Sequence, residues 1–333
     1  MKKSLVTLST SALVLAAVSG LTSCGPQKEQ ILIYSTAESE RVEFTRRELN
    51  AKFPEYDIIL QEIGTGALVS KLQAEGRSTD CDIIHELEIT NMETLLKQDA
   101  DFFYTLSDYD FTKFTDKNLP KNHKKYAPEC MNHCAVIYNK KVLSDRGLDV
   151  PETYEDLLKP QYKDLISMPN PKSSGTGYAF FNGLVSEMGE TDAIDYFNSL
   201  KTNIKEFTTS GSTPIKGVDR GEIAIGFAML WQCVEYKADN SNLEFTYLGR
   251  DLPYNLYQMA VINGKQERSC VKEVFDYIFN DLNKRQVEKF MPEPVYKEFT
   301  PENPEYPTDF ESINMVGIAD PDYKADLLDK WIA

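Results

Sequence analysis

The sequence is short of the residues that most often carry chemistry or covalent bracing. Of 333 residues, only 3 are histidine, 2 tryptophan and 6 cysteine. It contains no Gly-x-Ser-x-Gly elbow, no phosphate-loop Lys-Ser/Thr motif and no His-Glu-x-x-His, so no nucleophile, nucleotide or zinc-protease pattern can be named from spacing. Basic charge is scarce too: 36 Lys and Arg face 52 Asp and Glu, a formal charge of −16. Nucleic-acid binding depends on basic patches meeting phosphates, and no such partner is expected. Beyond Leu21 no apolar run approaches the ~20 residues that a membrane-spanning helix needs.

What is present begins at the N-terminus. Lys2 and Lys3 precede an apolar stretch, Leu5 to Leu21, which breaks at Leu21-Thr22-Ser23-Cys24. A positive start, a short apolar region and small residues read as a secretory signal peptide over 1–23. The competing reading is an anchor helix, against which the Ser and Thr content of the stretch counts. Leu-Thr-Ser-Cys resembles the bacterial lipobox, which implies cleavage before Cys24 and lipid attachment to its thiol, with 24–30 as a polar tether. Several acyl chains anchor stably where one binds reversibly. The expected location is therefore extracytoplasmic and membrane-anchored.

Roughly 310 residues remain after the leader, which suits two lobes better than one core. Ile31–Tyr34, Tyr56–Leu60 and Cys81–Ile84 read as strands, with helical spacing over Ala37–Phe53, Ala67–Glu75 and Ile89–Lys97. Alternation of this kind predicts α/β architecture with parallel strands. Residues 101–134 read as irregular, then Ala135–Tyr138, Asp164–Met168, Ile223–Gly226 and Tyr257–Ile262 as strands, with a long helix over Val271–Phe290. Besides Cys24 five cysteines remain, an odd number that leaves at least one free thiol. Cys130-Met-Asn-His133-Cys134 lacks the second ligand pair of a zinc motif, so burial or a disulfide is the plainer expectation.

Four loops dense in Ser, Thr and Gly lead into helices: Ser35-Thr36, Gly64-Thr65-Gly66, Ser173-Ser174-Gly175-Thr176-Gly177 and Ser210-Gly211-Ser212-Thr213. Helix N-termini carry unpaired N–H groups and partial positive charge, so anions dock there. Ordinary capping explains any one such loop; four of them in an α/β chain point to a ligand crevice at the strand ends. His85-Glu86-x-Glu88 reads first as a solvated acidic loop, with His85 and Glu86 as the alternative metal ligands.

Pro151 to Lys163 and Met168-Pro-Asn-Pro-Lys-Ser-Ser-Gly-Thr-Gly-Tyr178 resemble the extracellular solute-binding proteins of ABC importers, in the subgroup of ferric-ion, 2-aminoethylphosphonate, thiamine and organophosphate binders. Gly64-Thr-Gly-Ala-Leu, Ala135-Val-Ile-Tyr-Asn139, Ser210-Gly-Ser-Thr-Pro214 and Val218 to Gly226 follow in the family's order. The resemblance implies a type II periplasmic-binding-protein fold: lobe 1 from 31–132 plus 256–333, lobe 2 from 133–255, with crossings near Cys130–Ala135 and Leu248–Tyr257. It further implies a monomer that delivers a small solute to a membrane permease, without covalent chemistry or cofactor.

Where ferric binders of the family place two adjacent tyrosines, this chain has Trp231 and Gln232, which counts against iron. The hydroxyl loops suit a phosphonate or phosphate ester better. The expected ligand-binding set is Ser35, Thr36, Thr65, Gly66, Ser173 to Gly177, Ser210, Ser212 and Thr213, with Trp231, Tyr254 or Tyr257 packing on the organic part. A polyamine or thiamine would instead call on carboxylates such as Glu38, Glu86 or Glu88 beside an aromatic face. An enzyme would need an acid/base or nucleophile constellation that the sequence does not offer.

Overall fold

The computed structural model describes residues 28–116, 119–292 and 295–331; the expected signal peptide, 1–23, and Cys24 lie outside the described residues. β1 (Gln30–Ser35), α1 (Ser39–Lys52), β2 (Asp57–Glu62), α2 (Thr65–Glu75), β3 (Ile83–Glu88) and α3 (Ile89–Gln98) form a parallel unit in which β1 lies between β2 and β3. The apolar residues Ile31, Ile33, Ile58, Leu60, Ile83 and Ile84 are all buried, as parallel strands covered on both faces require.

The 13-residue β4 (Ala127–Asn139) is buried along its whole length. Then come α4 (Lys140–Asp145), β5 (Ile166–Pro169), α5 (Gly175–Met188), α6 (Glu190–Leu200), β6 (Ile204–Thr208), α7 (Thr213–Asp219), β7 (Ile225–Met229), α8 (Leu230–Asp239), β8 (Leu243–Thr246), β9 (Asp251–Leu252) and β10 (Tyr254–Val261). The chain ends with α9 (Ser269–Tyr277), a π-helical turn over Ile278–Leu282, α10 (Asn283–Phe290), β11 (Glu311–Ser312) and α11 (Pro321–Asp329). One curled sheet runs β2-β1-β3-β10-β4-β7-β5-β6, with β8 beside β4. The first half of β4 pairs with β10 and the second half with β7 and β8, so this strand belongs to both halves of the sheet.

Two apolar clusters lie along that sheet. The first gathers β1–β3, α1–α3, β10 and α8–α10; the second gathers the end of β4 with β5, α5 and α6. The result is two α/β lobes around a hinge. The boundaries expected from sequence placed all of 256–333 with lobe 1, whereas Leu327 and Trp331 pack in the second cluster.

Several expectations are corrected. Residues 127–134 are strand, not irregular: Glu129, Asn132 and His133 hide the pattern because their polar side chains are buried within the sheet. The third strand runs to Glu88, so His85, Glu86 and Glu88 are fully buried rather than on a solvated loop. β6, α8 and α11 were not foreseen. All five described cysteines are buried free thiols. Among the described residues no helix is long and apolar enough to cross a membrane.

Candidate functional site

At the carboxyl ends of β1, β2 and β5 the chain turns into α1, α2 and α5, whose first turns converge with the 209–212 loop. They enclose a cavity of about 60 Å³ lined by 36–38, 62–65, 173–176, 209–212, Met229 and Tyr257. Its two walls come from different lobes and meet at the rim: a Cβ on Gly66 would stand 3.4 Å from the Lys172 carbonyl and 3.6 Å from Ser173 Cα.

Of the residues expected from sequence, Thr36, Thr65, Ser173, Ser174, Gly175, Thr176, Ser210 and Ser212 line this cavity. Ser174 is the N-cap of α5, its Oγ accepting from Gly177 N at 3.5 Å. That bond is long, which leaves the hydroxyl loosely held. Ser210 and Ser212 share a hydrogen bond of 3.2 Å. Gly211 lies where a Cβ would overlap Thr176 Oγ1, so only glycine lets the 209–212 loop come this near α5. Asn255 of β10 donates to the Gly175 carbonyl at 3.1 Å, fixing the start of α5.

The others stand elsewhere. Ser35 is buried behind the wall, its Oγ accepting from Ala37 N at 3.1 Å and bonded to His85 Nδ1 at 2.8 Å. Gly66 is at the rim, Gly177 packs on Pro169, and Thr213 starts α7 outside the cavity. Trp231 is buried beneath α1, 5.4 Å from the Arg41 guanidinium and 5.6 Å from the Phe290 ring. Tyr254 packs against His133 at 5.5 Å; the tyrosine that reaches the cavity is Tyr257. Burial pushes the Tyr257 phenol well above its ordinary value, with Glu88 and Glu38 adding to the effect.

Among the described residues no lysine or arginine lines the cavity, but two carboxylates do, Glu38 and Glu62. Burial raises the pKa of Glu38 against the pull of Arg41, whose Nε is 3.2 Å away. Glu62 gave no sequence signal beyond ending a strand just ahead of a Gly-Thr-Gly turn.

His85 and Glu86 sit one layer deeper. Their ligand atoms lie within 4.8 Å of each other and of Glu129. His85 Nε2 is 3.0 Å from Glu129 Oε1, and burial lowers the imidazole to about 3 while raising Glu129 well above the carboxylate range. Glu86 is bound by Arg41 and by Gln286 Nε2. The arrangement neutralises itself and does not open to the cavity.

The sequence matches the family of bacterial extracellular solute-binding proteins over residues 57–323. The chain belongs to this family. Its members take small solutes outside the cytoplasm to ABC permeases. Among curated relatives, a putative 2-aminoethylphosphonate-binding periplasmic protein of Salmonella typhimurium is 21% identical over 255 residues, 74% of this chain and 71% of that one. Among solved structures, the periplasmic binding protein AfuA of Actinobacillus pleuropneumoniae with fructose-6-phosphate superposes with a TM-score of 0.79 and 21% identity, over 92% of this chain and 98% of that one. Iron-bound HitA of Pseudomonas aeruginosa superposes with a TM-score of 0.74 and 16% identity, over 91% and 100%. One type II periplasmic-binding-protein fold thus serves quite different ligands, and ligand choice must be argued from the site.

Proposed function

We propose that this solute-binding protein captures a small organic phosphonate or phosphate ester, 2-aminoethylphosphonate being the type case, and hands it to its permease. The observation that carries the reading is the cavity's donor set. The starts of α1, α2 and α5, with Ser174, Thr176, Ser210 and Ser212, line it with no cationic side chain among the described residues. Neutral donors at helix N-termini suit a phosphoryl or phosphonyl head. Glu38 and Glu62 would repel a plain dianion and attract an ammonium on the same ligand, which favours a zwitterion.

Acidity weighs against iron. A ferric ion wants phenolates, and the raised pKa of Tyr257 resists ionisation. Lipid attachment at Cys24 would hold the protein on the outer side of the membrane, within reach of the permease.

Thermal shift and titration calorimetry with 2-aminoethylphosphonate, ethylphosphonate, glycerol 3-phosphate, inorganic phosphate, spermidine, thiamine and ferric citrate test the reading. A ligand at 100 times its Kd stabilises by about 2.7 kcal/mol. Binding of 2-aminoethylphosphonate ahead of ethylphosphonate is expected. A response to ferric citrate, thiamine or spermidine alone would refute the phosphonate site.

A further inference from the structure

The C-terminal segment crosses from one lobe to the other several times. β11 pairs with β9, and Ser312 Oγ meets His133 Nε2 at 2.8 Å. Val316 is held by α5: its carbonyl accepts from Asn182 Nδ2 at 3.0 Å and its N–H donates to Ser186 Oγ at 2.9 Å. Two residues on, the Ile318 carbonyl accepts from Thr90 Oγ1 of α3 at 2.7 Å. α11 then lies between α3 and α5. Leu327 and Trp331 anchor it in the second cluster, where the Trp331 ring stands 4.9 Å from Phe181, 5.3 Å from Phe197 and 5.6 Å from Phe207. It holds lobe 1 at the surface through Asp322, paired with Lys97 of α3, and in the interior through Lys324, which donates to Glu88 Oε2 at 2.8 Å and Asn91 Oδ1 at 3.2 Å while lying 4.5 Å from the Tyr178 ring.

Glu88 is fully buried, and its Oε1 has no hydrogen-bond partner among the described residues. A Cβ at residue 175 would overlap that oxygen and stand 3.0 Å from Tyr257 Oη. The carboxylate of lobe 1 therefore lies directly beneath the first turn of α5, which belongs to lobe 2 and lines the ligand cavity.

We propose that the 311–331 segment is a third link between the lobes and that the Lys324–Glu88 pair is the latch of their closed form. Separating α3 from α5 takes α11 with α5, because Trp331 and Leu327 leave an apolar core only with difficulty. Of the contacts that must then break, Thr90 to the Ile318 carbonyl is uncharged and Lys97 to Asp322 is exposed, which leaves Lys324 to Glu88 as the buried ion pair. In the closed form the Glu88 charge is wholly buried and balanced by Lys324; on opening, water reaches it. Removing Lys324 therefore penalises the closed form selectively, since a buried charge without its partner is strongly unfavourable. A ligand that selects the closed form loses affinity by the factor through which that form is depleted.

The test uses the full chain in detergent, with Lys324→Met, Lys324→Arg and the double variant Lys324→Met/Glu88→Gln. In titrations with 2-aminoethylphosphonate, Lys324→Met is expected to raise Kd by about tenfold or more, with Lys324→Arg near wild type and the double variant within a few-fold of it. The latch also has a readout that needs no ligand: in the unliganded protein, Lys324→Met should speed hydrogen exchange in the first turn of α5 and in α11. Unchanged exchange there, or a double variant as weak as Lys324→Met, overturns the latch. This inference builds on the phosphonate reading only for its choice of probe. If 2-aminoethylphosphonate fails to bind wild type while the exchange pattern shifts as stated, the ligand reading falls and the latch stands.

Discussion

Arg41 is the residue whose loss tests the logic of lobe 1 most severely. It is fully buried on α1, beside Glu38 at 3.2 Å, in contact with Glu86, 3.0 Å from Met291 Sδ and 3.6 Å from Cys130 Sγ, under the Trp231 ring. Replacing it by methionine keeps most of the volume but strands two carboxylates in a dry environment. Breaking a buried pair from one side costs about 3–5 kcal/mol, a large fraction of the 5–15 kcal/mol that separates folded from unfolded protein. At about 2–4 °C per kcal/mol for a chain of this size, the melting temperature should fall by roughly 6–20 °C.

The companion variant Arg41→Met/Glu86→Gln removes the stranded charge together with its partner and is expected to recover at least half of that loss. Scanning calorimetry on the two variants and wild type decides the matter. A loss below about 1 kcal/mol for Arg41→Met would refute the picture of a charged hub and imply that the carboxylates are already protonated. Burial raises both Glu38 and Glu129, so proton uptake is the route by which the protein would evade the penalty. A partial evasion would show as a smaller loss at pH 5 than at pH 8.

Two further outcomes follow from the same geometry. Ser174→Ala should lower stability by no more than about 0.5 kcal/mol, because the cap bond it removes is 3.5 Å long. Calorimetric titration should nevertheless show about tenfold weaker binding of 2-aminoethylphosphonate, and unchanged affinity would take this loop out of the site. For His85, the folded pKa of about 3 lies below the unfolded value of about 6.5. Its contribution is therefore fully present above pH 6.5 and lost as pH falls from there towards 3. Between pH 6.5 and 4.5, wild type should lose stability faster than His85→Asn in denaturant titrations, and parallel curves would contradict that assignment.

The fold was legible where local pattern and burial agree. β1, α1, β2 and α2 could be read within a residue or two because their apolar positions face the first cluster and their turns are marked by Pro54 and Gly64-Thr65-Gly66. β4 could not, because its inner positions are polar: Glu129 serves His85 and the Glu86 N–H, and Asn132 and His133 lie at the hinge between two sheet partners. A strand that buries ionisable groups for a network loses the apolar alternation on which reading depends. α11 does carry a local signal, with Asp320 as its cap and Pro321 at its first position.

The cavity was legible for a different physical reason. Its donors are backbone amides and small hydroxyls, which must sit in Gly-Ser-Thr turns before helices, and such turns are visible in any sequence. Tyr257 was one of three aromatic candidates, and Glu62 was unmarked because it merely ends β2 ahead of the Gly64-Thr65-Gly66 turn. Nor could spacing reveal that Trp231 turns inward to cover Arg41 instead of facing solute. The two acids in these loops are what would change the chemistry. A cradle of neutral donors alone accepts any small oxyanion, whereas in the site we propose Glu38 and Glu62 would add repulsion against inorganic phosphate and attraction for an ammonium. On that proposal, selectivity would come as much from the carboxylates that reject the wrong anion as from the hydroxyls that hold the right one.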